Sequence, residues 1–528
     1  MPKRTTPGHH LTYLFMAGVL VANVSSAEQC QKQLWSDEFN GNKLDTKNNW
    51  HVMLGDGCQY DICGWGNQEL QYYQQDNITV EDGLLTITAK KEKIKDKGYT
   101  SARIRTANMP GSGEWTFGRF EARIKIPEGD GIWPAFWMLP TDPDVGWPAS
   151  GEIDIMEATG QATRIAFGTI HYGDSPATSQ FTNQHVLSQP KKWSDDFHTY
   201  AVEWEPKELR WYVDDYVYAV KKPKDLGNEK WWTFDNYPYH ILLNLAVGGI
   251  LGGSVDDSKL PLKMQVDYVR VFDKGEPAID GPHIVAPGEI AEYRVIGENG
   301  EKSKYKWKVP KGAKLVGSGD RVRVDFAQAT KGEVSVVVKN TCGKHKLKVP
   351  VFVEPDHPVE TVLDDFQDNR ALDYVYHTGD FKVKDGMLHY ARKNDAMWDL
   401  IVTKTQAIPD VSPMLSGEKA FVMKLKNTNP DLIGKPVLIQ LENSKVSKPE
   451  NYPKGRHSKF EAHIEHADGW QTLRFRLADR KDAETRNTDI DSVVILLDPG
   501  EKAGDTYVID SISILGDGSG KLTKAKGR

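Results

Sequence analysis

Short stretches in which apolar and polar residues alternate recur along nearly the whole chain, and no stretch carries the apolar spacing of a long helix. Gly83 to Ala89, Phe120 to Ile126, His198 to Trp204, Leu209 to Val213 and Gln265 to Val271 show full or partial alternation, with Asp82-Gly83 and Asp214-Asp215 as turn signals. This spacing predicts an all-β protein that opens, over residues 28–273, with a two-sheet sandwich. Residues 274–282 hold two prolines and two glycines and read as a linker. Four further alternating runs, Ile290 to Val295, Tyr305 to Val309, Arg321 to Phe326 and Gly332 to Val338, predict a small immunoglobulin-like sandwich over 283–353. A second linker is expected at 354–360. Residues 361–516 then read as another all-β unit, from Val362-Leu-Asp-Asp-Phe366 to the alternating run Tyr507 to Ile514. The Gly-, Lys- and Ser-rich tail, 517–528, is expected to be disordered.

Composition adds location and excludes one class of partner. Lys3 and Arg4 precede an apolar run from Leu11 to Val24 and the small residues Ser25-Ser26-Ala27, the pattern of an export signal over residues 1–27. The expected location is therefore secreted or periplasmic. The run is short for a membrane span and nothing later approaches the required length, so no membrane partner is expected. A net charge of -7 argues against nucleic acid. Of the four cysteines, Cys58 and Cys63 lie close together in a Gly-rich loop and are expected to bridge, whereas Cys30 and Cys342 fall in different predicted domains and their pairing is left open. A monomer is the default expectation.

One strand breaks the alternation. In Ser150-Gly-Glu-Ile-Asp-Ile-Met-Glu157, Glu152 and Asp154 fall on one face and Ile153 and Ile155 on the other. Strict period 2 would then bury Glu157 in the apolar layer, where an unpaired charge is very costly. A bulge near Ile155-Met156 would restore Glu157 to the face of Glu152 and Asp154. Three carboxyls so close cannot all ionise freely, which suits a general acid working near neutral pH. The acids alone fit glycoside hydrolysis, a calcium site or a solvated acidic strand.

The surrounding blocks narrow the choice. Glu152-Ile-Asp-Ile-Met-Glu157 resembles the catalytic signature of glycoside hydrolase family 16 in its bulged form. Trp65-Gly-Asn-Gln-Glu-Leu-Gln-Tyr-Tyr73, Gly131-Ile-Trp-Pro-Ala-Phe-Trp-Met-Leu-Pro140, Trp147-Pro-Ala-Ser-Gly151, His171-Tyr-Gly173 and Asn244-Leu-Ala-Val-Gly-Gly249 resemble its laminarinase-like branch, in the same order. The resemblance implies a β-jelly roll whose concave sheet carries the cleft, and endo-acting, retaining hydrolysis of β-1,3-glucan without a catalytic cofactor. Carried over by position, Glu152 is the nucleophile, Glu157 the general acid/base and Asp154 the group that tunes Glu152. Trp133, Trp137 and Trp147 would stack sugars on the glycone side, while Asn67, Arg103 and His171 would contact sugar hydroxyls. Glu38, Gly83 and Asp267 would hold one structural Ca2+ on the convex side. Mixed-linkage β-glucan, agarose, carrageenan and porphyran are alternative substrates; a non-catalytic glucan-binding protein would usually lack the two glutamates. Tyr305-Lys-Trp307 with Asn340-Thr-Cys-Gly343 resembles PKD-like modules, with Trp307 as a core residue. The ends of 361–516 resemble carbohydrate-binding jelly rolls, in which none of Tyr390, Trp398, Tyr452 and Trp470 is assigned to a ligand.

Overall fold

The computed structural model describes residues 30–516 except 162–164, 175–179, 187–191, 215, 227, 286–289, 298–301, 327–330, 354–358, 397, 416–418, 449–453, 465–466, 468, 480–481, 483–484 and 500–503. The expected leader, the tail, Tyr452 and most of the second linker lie outside the described residues. Strands dominate, and among the described residues the α-helices are single turns at Gly249–Gly252 and Ser412–Leu415.

The first unit is the expected sandwich. Its concave sheet runs, from one edge to the other, through His51–Val52, Arg103–Arg105, Tyr239–Val247, Ile132–Pro140, Glu152–Ala158, Ile165–His171 and Gln180–Val186. Alternation sends Phe136, Met138, Ile153, Ile170 and Leu243 inward, where they meet Phe120, Ala122, Val202, Trp204 and Val269 of the opposing sheet in one buried core. The odd residues of the Phe120 strand point the other way. There Arg119 pairs with Glu121 at 2.8 Å and with Glu203 at 3.1 Å, and Glu203 also takes Arg210 at 2.9 Å. These charges are buried because the next unit packs over them: the Glu276 amide donates to Glu203 Oε1 at 3.0 Å.

That contact changes the reading of residues 274–282. The segment contains a strand, Ala278–Asp280, which pairs in parallel with Tyr216–Lys221 of the first sandwich and antiparallel with Ile290–Ile296 of the second. One sheet therefore continues from the convex side of the first unit into the small sandwich instead of ending at a tether. Its two prolines and two glycines mark a change of direction between ladders, which composition alone does not distinguish from a flexible link.

Cys30 and Cys342, whose pairing the sequence leaves open, are disulfide-bonded, with Cα atoms 5.3 Å apart. Strand Gln33–Asp37 runs antiparallel to the end of Leu262–Phe272, and this carries Cys30 to the junction with the small sandwich. There Gln31 Nε2 donates to the Lys274 carbonyl at 2.8 Å. Two residues 312 apart in sequence become neighbours through that pairing. Cys58 and Cys63 are bridged as expected.

In the small sandwich Trp307 packs at the core margin, its Nε1 donating to the Gly319 carbonyl at 2.8 Å. Among the described residues, the C-terminal unit forms two six-stranded sheets. Its core includes Leu388, Ile401, Phe421, Ile439, Ile495 and Ile509, and the same apolar cluster takes in Ile165 and Phe167 of the first sandwich. Tyr390 is a buried residue of this unit, hydrogen-bonded to Asp399, whereas Trp398 and Trp470 are exposed.

Candidate active site

The strand Glu152–Ala158 carries the bulge that alternation demanded. Against Ile132–Pro140 the register runs Met138 to Ile153, Trp137 to Asp154, then Phe136 to Met156 and Ala135 to Glu157, skipping Ile155. Against Ile165–His171, Asp154 faces Thr169 and Glu157 faces Phe167, so Ile155 and Met156 share the space opposite Gly168. Both fully buried apolar side chains enter the inter-sheet core, and Glu152, Asp154 and Glu157 remain together on the concave face.

Two features on the core side accommodate this irregularity. Trp211 Nε1 donates to the Asp154 carbonyl at 2.9 Å, satisfying an acceptor beside the bulge. Gly168 leaves room for that indole, since a Cβ there would come within 2.5 Å of Trp211 Cδ1 and 2.4 Å of Tyr218 Oη.

The three acids sit in different surroundings. Asp154 is 2% exposed, and burial, reinforced by the charges of Glu152 and Glu157, holds its carboxyl well above the usual carboxylate range. Its proton then serves as a hydrogen bond toward Glu152, the neighbour it contacts. Glu157 is pushed up to about 7, chiefly by desolvation; the Glu152 charge adds to this, while His171 and the donors Trp133 and Thr169 oppose it. Trp133 Nε1 reaches Glu157 Oε1 at 3.0 Å, Thr169 Oγ1 reaches Oε2 at 3.3 Å, and Trp147 Nε1 holds Glu152 Oε2 at 2.6 Å.

The raised Glu157 has a consequence for stability. A carboxyl with an ordinary value of 4.5 that titrates at about 7 when folded binds more protons in the folded than in the unfolded state between those limits. Stability therefore falls as pH rises through that window. Glu157→Gln removes the titrating group, so at pH 8 the variant should be more stable than the parent by about 1–3 kcal/mol, with the advantage gone at pH 4. Thermal melts at the two pH values check this; a parent protein more stable than the variant at pH 8 contradicts it.

The expected substrate-contacting residues spread from these acids in both directions. His171 lies directly across from Glu152, with Nε2 3.3 Å from Asp154 Oδ2 and its ring 5.4 Å from that of Trp147. Glu152, Asp154 and His171 each present a ligand atom within 4.8 Å of the others, close enough to share a cation. On the other side, Trp137 Nε1 donates to Asn244 Oδ1 at 2.8 Å. The Arg103 guanidinium is packed against the rings of Trp65 and Trp137, 4.5 and 4.7 Å from their centroids. Its Nε is buried without a hydrogen-bond partner. Asn67 Nδ2 donates to Glu69 Oε1 at 3.3 Å.

Glu69 was not singled out from sequence, nor were Tyr73, Thr169 and Asn244. Glu69 is buried, accepts from Gln71 at 2.6 Å and from Tyr73 Oη at 3.0 Å, and supplies the negative charge that faces Arg103. Tyr73 Oη in turn accepts from Asn244 Nδ2 at 3.3 Å, so one hydrogen-bonded chain runs from Glu69 to the Trp137 indole. Glu69, Tyr73 and Asn244 all lie inside motif blocks read from the sequence; what was missing was the cross-strand neighbour that gives each a partner.

The residues expected to hold calcium lie on the opposite face, near the pairing of Asp37 with Val269. Glu38 makes a two-pronged pair with Arg270 at 2.9 and 2.8 Å, so its carboxylate is committed to that pair. Asp267 sits at a register shift between Val266 and Tyr268 and pairs through Oδ2 with Arg123 at 2.7 Å. Gly83 has φ +76° in the Asp82-Gly83 turn.

Known proteins place this arrangement. Residues 66–270 match the family described as "Glycosyl hydrolases family 16", and residues 274–351 match a "PKD-like domain". A "Beta-glucanase" of Rhodothermus marinus is 39% identical over 281 residues, covering 50% of this chain and 92% of the relative. A "Glucan endo-1,3-beta-glucosidase" of Cryptopygus antarcticus is 38% identical over 256 residues, covering 45% of this chain and 90% of the relative. The solved laminarinase catalytic domain of Thermotoga maritima is 39% identical, with 47% of this chain and 100% of that chain covered and a TM-score of 0.43. With matching residues that include the whole bulged strand and the blocks around it, the chain belongs to glycosyl hydrolases family 16.

Proposed function

We propose that the protein is an exported, endo-acting β-1,3-glucanase that cleaves laminarin-type glucan by double displacement with retention. The observation that carries this reading is the bulge, which sets Glu157 on the same face as Glu152 and Asp154. Glu152 attacks the anomeric carbon while Glu157 gives its proton to the departing glycosidic oxygen, forming a glycosyl ester. Glu157, now ionised, takes a proton from water, whose oxygen attacks the same carbon and frees Glu152. Asp154, holding its proton against Glu152, orients the nucleophile and spreads its charge. The names of the relatives support β-1,3-glucan as substrate. A neutral glucan also suits a face on which the charge of Arg103 is opposed by buried Glu69, because sulfated polymers call for free cationic groups. Two disulfides support an oxidising, exported setting.

Hydrolysis of laminarin, curdlan, lichenan and agarose, followed by product analysis, tests the substrate. Oligosaccharides from laminarin, with agarose untouched, are expected; release from agarose but not laminarin overturns the reading. We further propose that the backbone oxygens of Glu38 and Gly83 with Asp267 hold one structural calcium. Calcium should then raise the melting temperature of the parent protein and leave Asp267→Ala unmoved, while indifference of the parent to both calcium and chelator removes the site.

A further inference from the structure

Phe167 is a large apolar residue beside the acid/base, on a face expected to receive sugars. The register places Phe167, Glu157, Ala135, Asn244 and Arg103 in one row across the concave sheet. At one end of this row Arg103 lies between the rings of Trp65 and Trp137 and belongs to the first sandwich's own concave face. At the other end Phe167 and its face-mate Ile165 are each only 2% exposed. They are absent from the core of their own sandwich and belong to the apolar cluster of the C-terminal unit. The edge strand of the concave sheet, Gln180–Val186, also lies against Arg476–Asp479, an edge strand of that unit. Two independent contacts, one on the face and one along the edge, thus seat the C-terminal jelly roll on the catalytic sheet.

We propose that the C-terminal unit is a wall of the catalytic cleft, docked through Ile165 and Phe167, and that it sets how many sugar units fit on the leaving-group side of Glu157. This rests on the glucanase reading above. Adjacent strands are about 5 Å apart, close to the length of one glucose unit, so a chain crossing the strands meets the docked unit about one or two units beyond the cleaved bond. Further units of the departing chain then have to follow the surface of the docked unit. A merely tethered binding module would leave Phe167 and Ile165 bare and would have no influence on which bond is cut.

The full chain and its Ile165→Asp/Phe167→Ser variant, confirmed as folded by near-ultraviolet circular dichroism, are compared by small-angle X-ray scattering and by hydrolysis of laminarihexaose in H2 18O. The heavy oxygen marks the new reducing end, so mass spectrometry reads the length of the leaving fragment directly. A compact parent, an extended variant and at least a threefold change in the ratio of leaving-fragment lengths are expected. A parent that is already extended overturns the proposal, as does a variant that stays compact or one that extends with its fragment ratio unchanged. Should the variant fail to fold, the scattering of the parent and amide exchange across the edge strand Gln180–Val186 decide: exchange as fast as in an exposed edge overturns docking. Total laminarin hydrolysis by the parent reports separately on the glucanase reading.

Discussion

Glu152→Ala should lower laminarin hydrolysis by on the order of 10^4-fold or more while leaving glucan binding nearly intact. The substitution removes the only group on the concave strand placed to form the glycosyl ester under the proposed roles, but leaves Trp133, Trp137 and Arg103 where they are. The loss should therefore appear in kcat and not in KM. Added azide gives a sharper signature. It can enter the space vacated by the carboxylate and attack the anomeric carbon from that side, with Glu157 still protonating the departing oxygen. The product is then the α-glycosyl azide, of inverted configuration. Substantial residual hydrolysis, or azide that gives only the β-anomer, contradicts the nucleophile assignment.

Glu157→Ala has the second largest expected effect, a fall in kcat on laminarin of about 10²–10⁴-fold. Here the loss depends on the leaving group. A dinitrophenyl glycoside departs without protonation, so its glycosylation step should be nearly spared, and the ester on Glu152 should accumulate. Azide then attacks from the side of the missing base and gives the β-glycosyl azide. The pH profile separates this role from a structural one. Under the proposed roles the protonated form of Glu157, held up to about 7, is the active acid, so kcat/KM should fall as pH rises above that value. The variant should lack that alkaline limb on the activated substrate. Equal losses on laminarin and on the dinitrophenyl glycoside would contradict the acid/base role.

Much of this was legible in the sequence because alternation is a local signal. Each strand around the site declares its two faces, and the misfit of Met156 and Glu157 pointed to a bulge before any coordinates. Ile155 and Met156 do both turn inward. What stayed hidden depends on strand order. No pattern around Gly168 says that Trp211 must approach it, and nothing near Glu69 says that Arg103 will face it. The pairing of Cys30 with Cys342 stayed open because 274–282 was read as a linker, although Ala278–Asp280 joins the two ladders. Phe167 lies in none of the blocks singled out from the sequence. Its partner is supplied by a unit some two hundred residues later, and local patterning carries no information over that separation.

The central claim, that a bulged strand brings a nucleophile and a separate proton donor to one face, is tested most directly by trapping the intermediate. An activated 2-deoxy-2-fluoro laminaribioside slows both steps but still leaves readily, so the glycosyl ester should persist long enough for peptide mapping. The account predicts one fluorosugar per chain, attached to Glu152, with Glu157 unmodified. A label on Glu157, or no label together with products of inverted configuration, would contradict it.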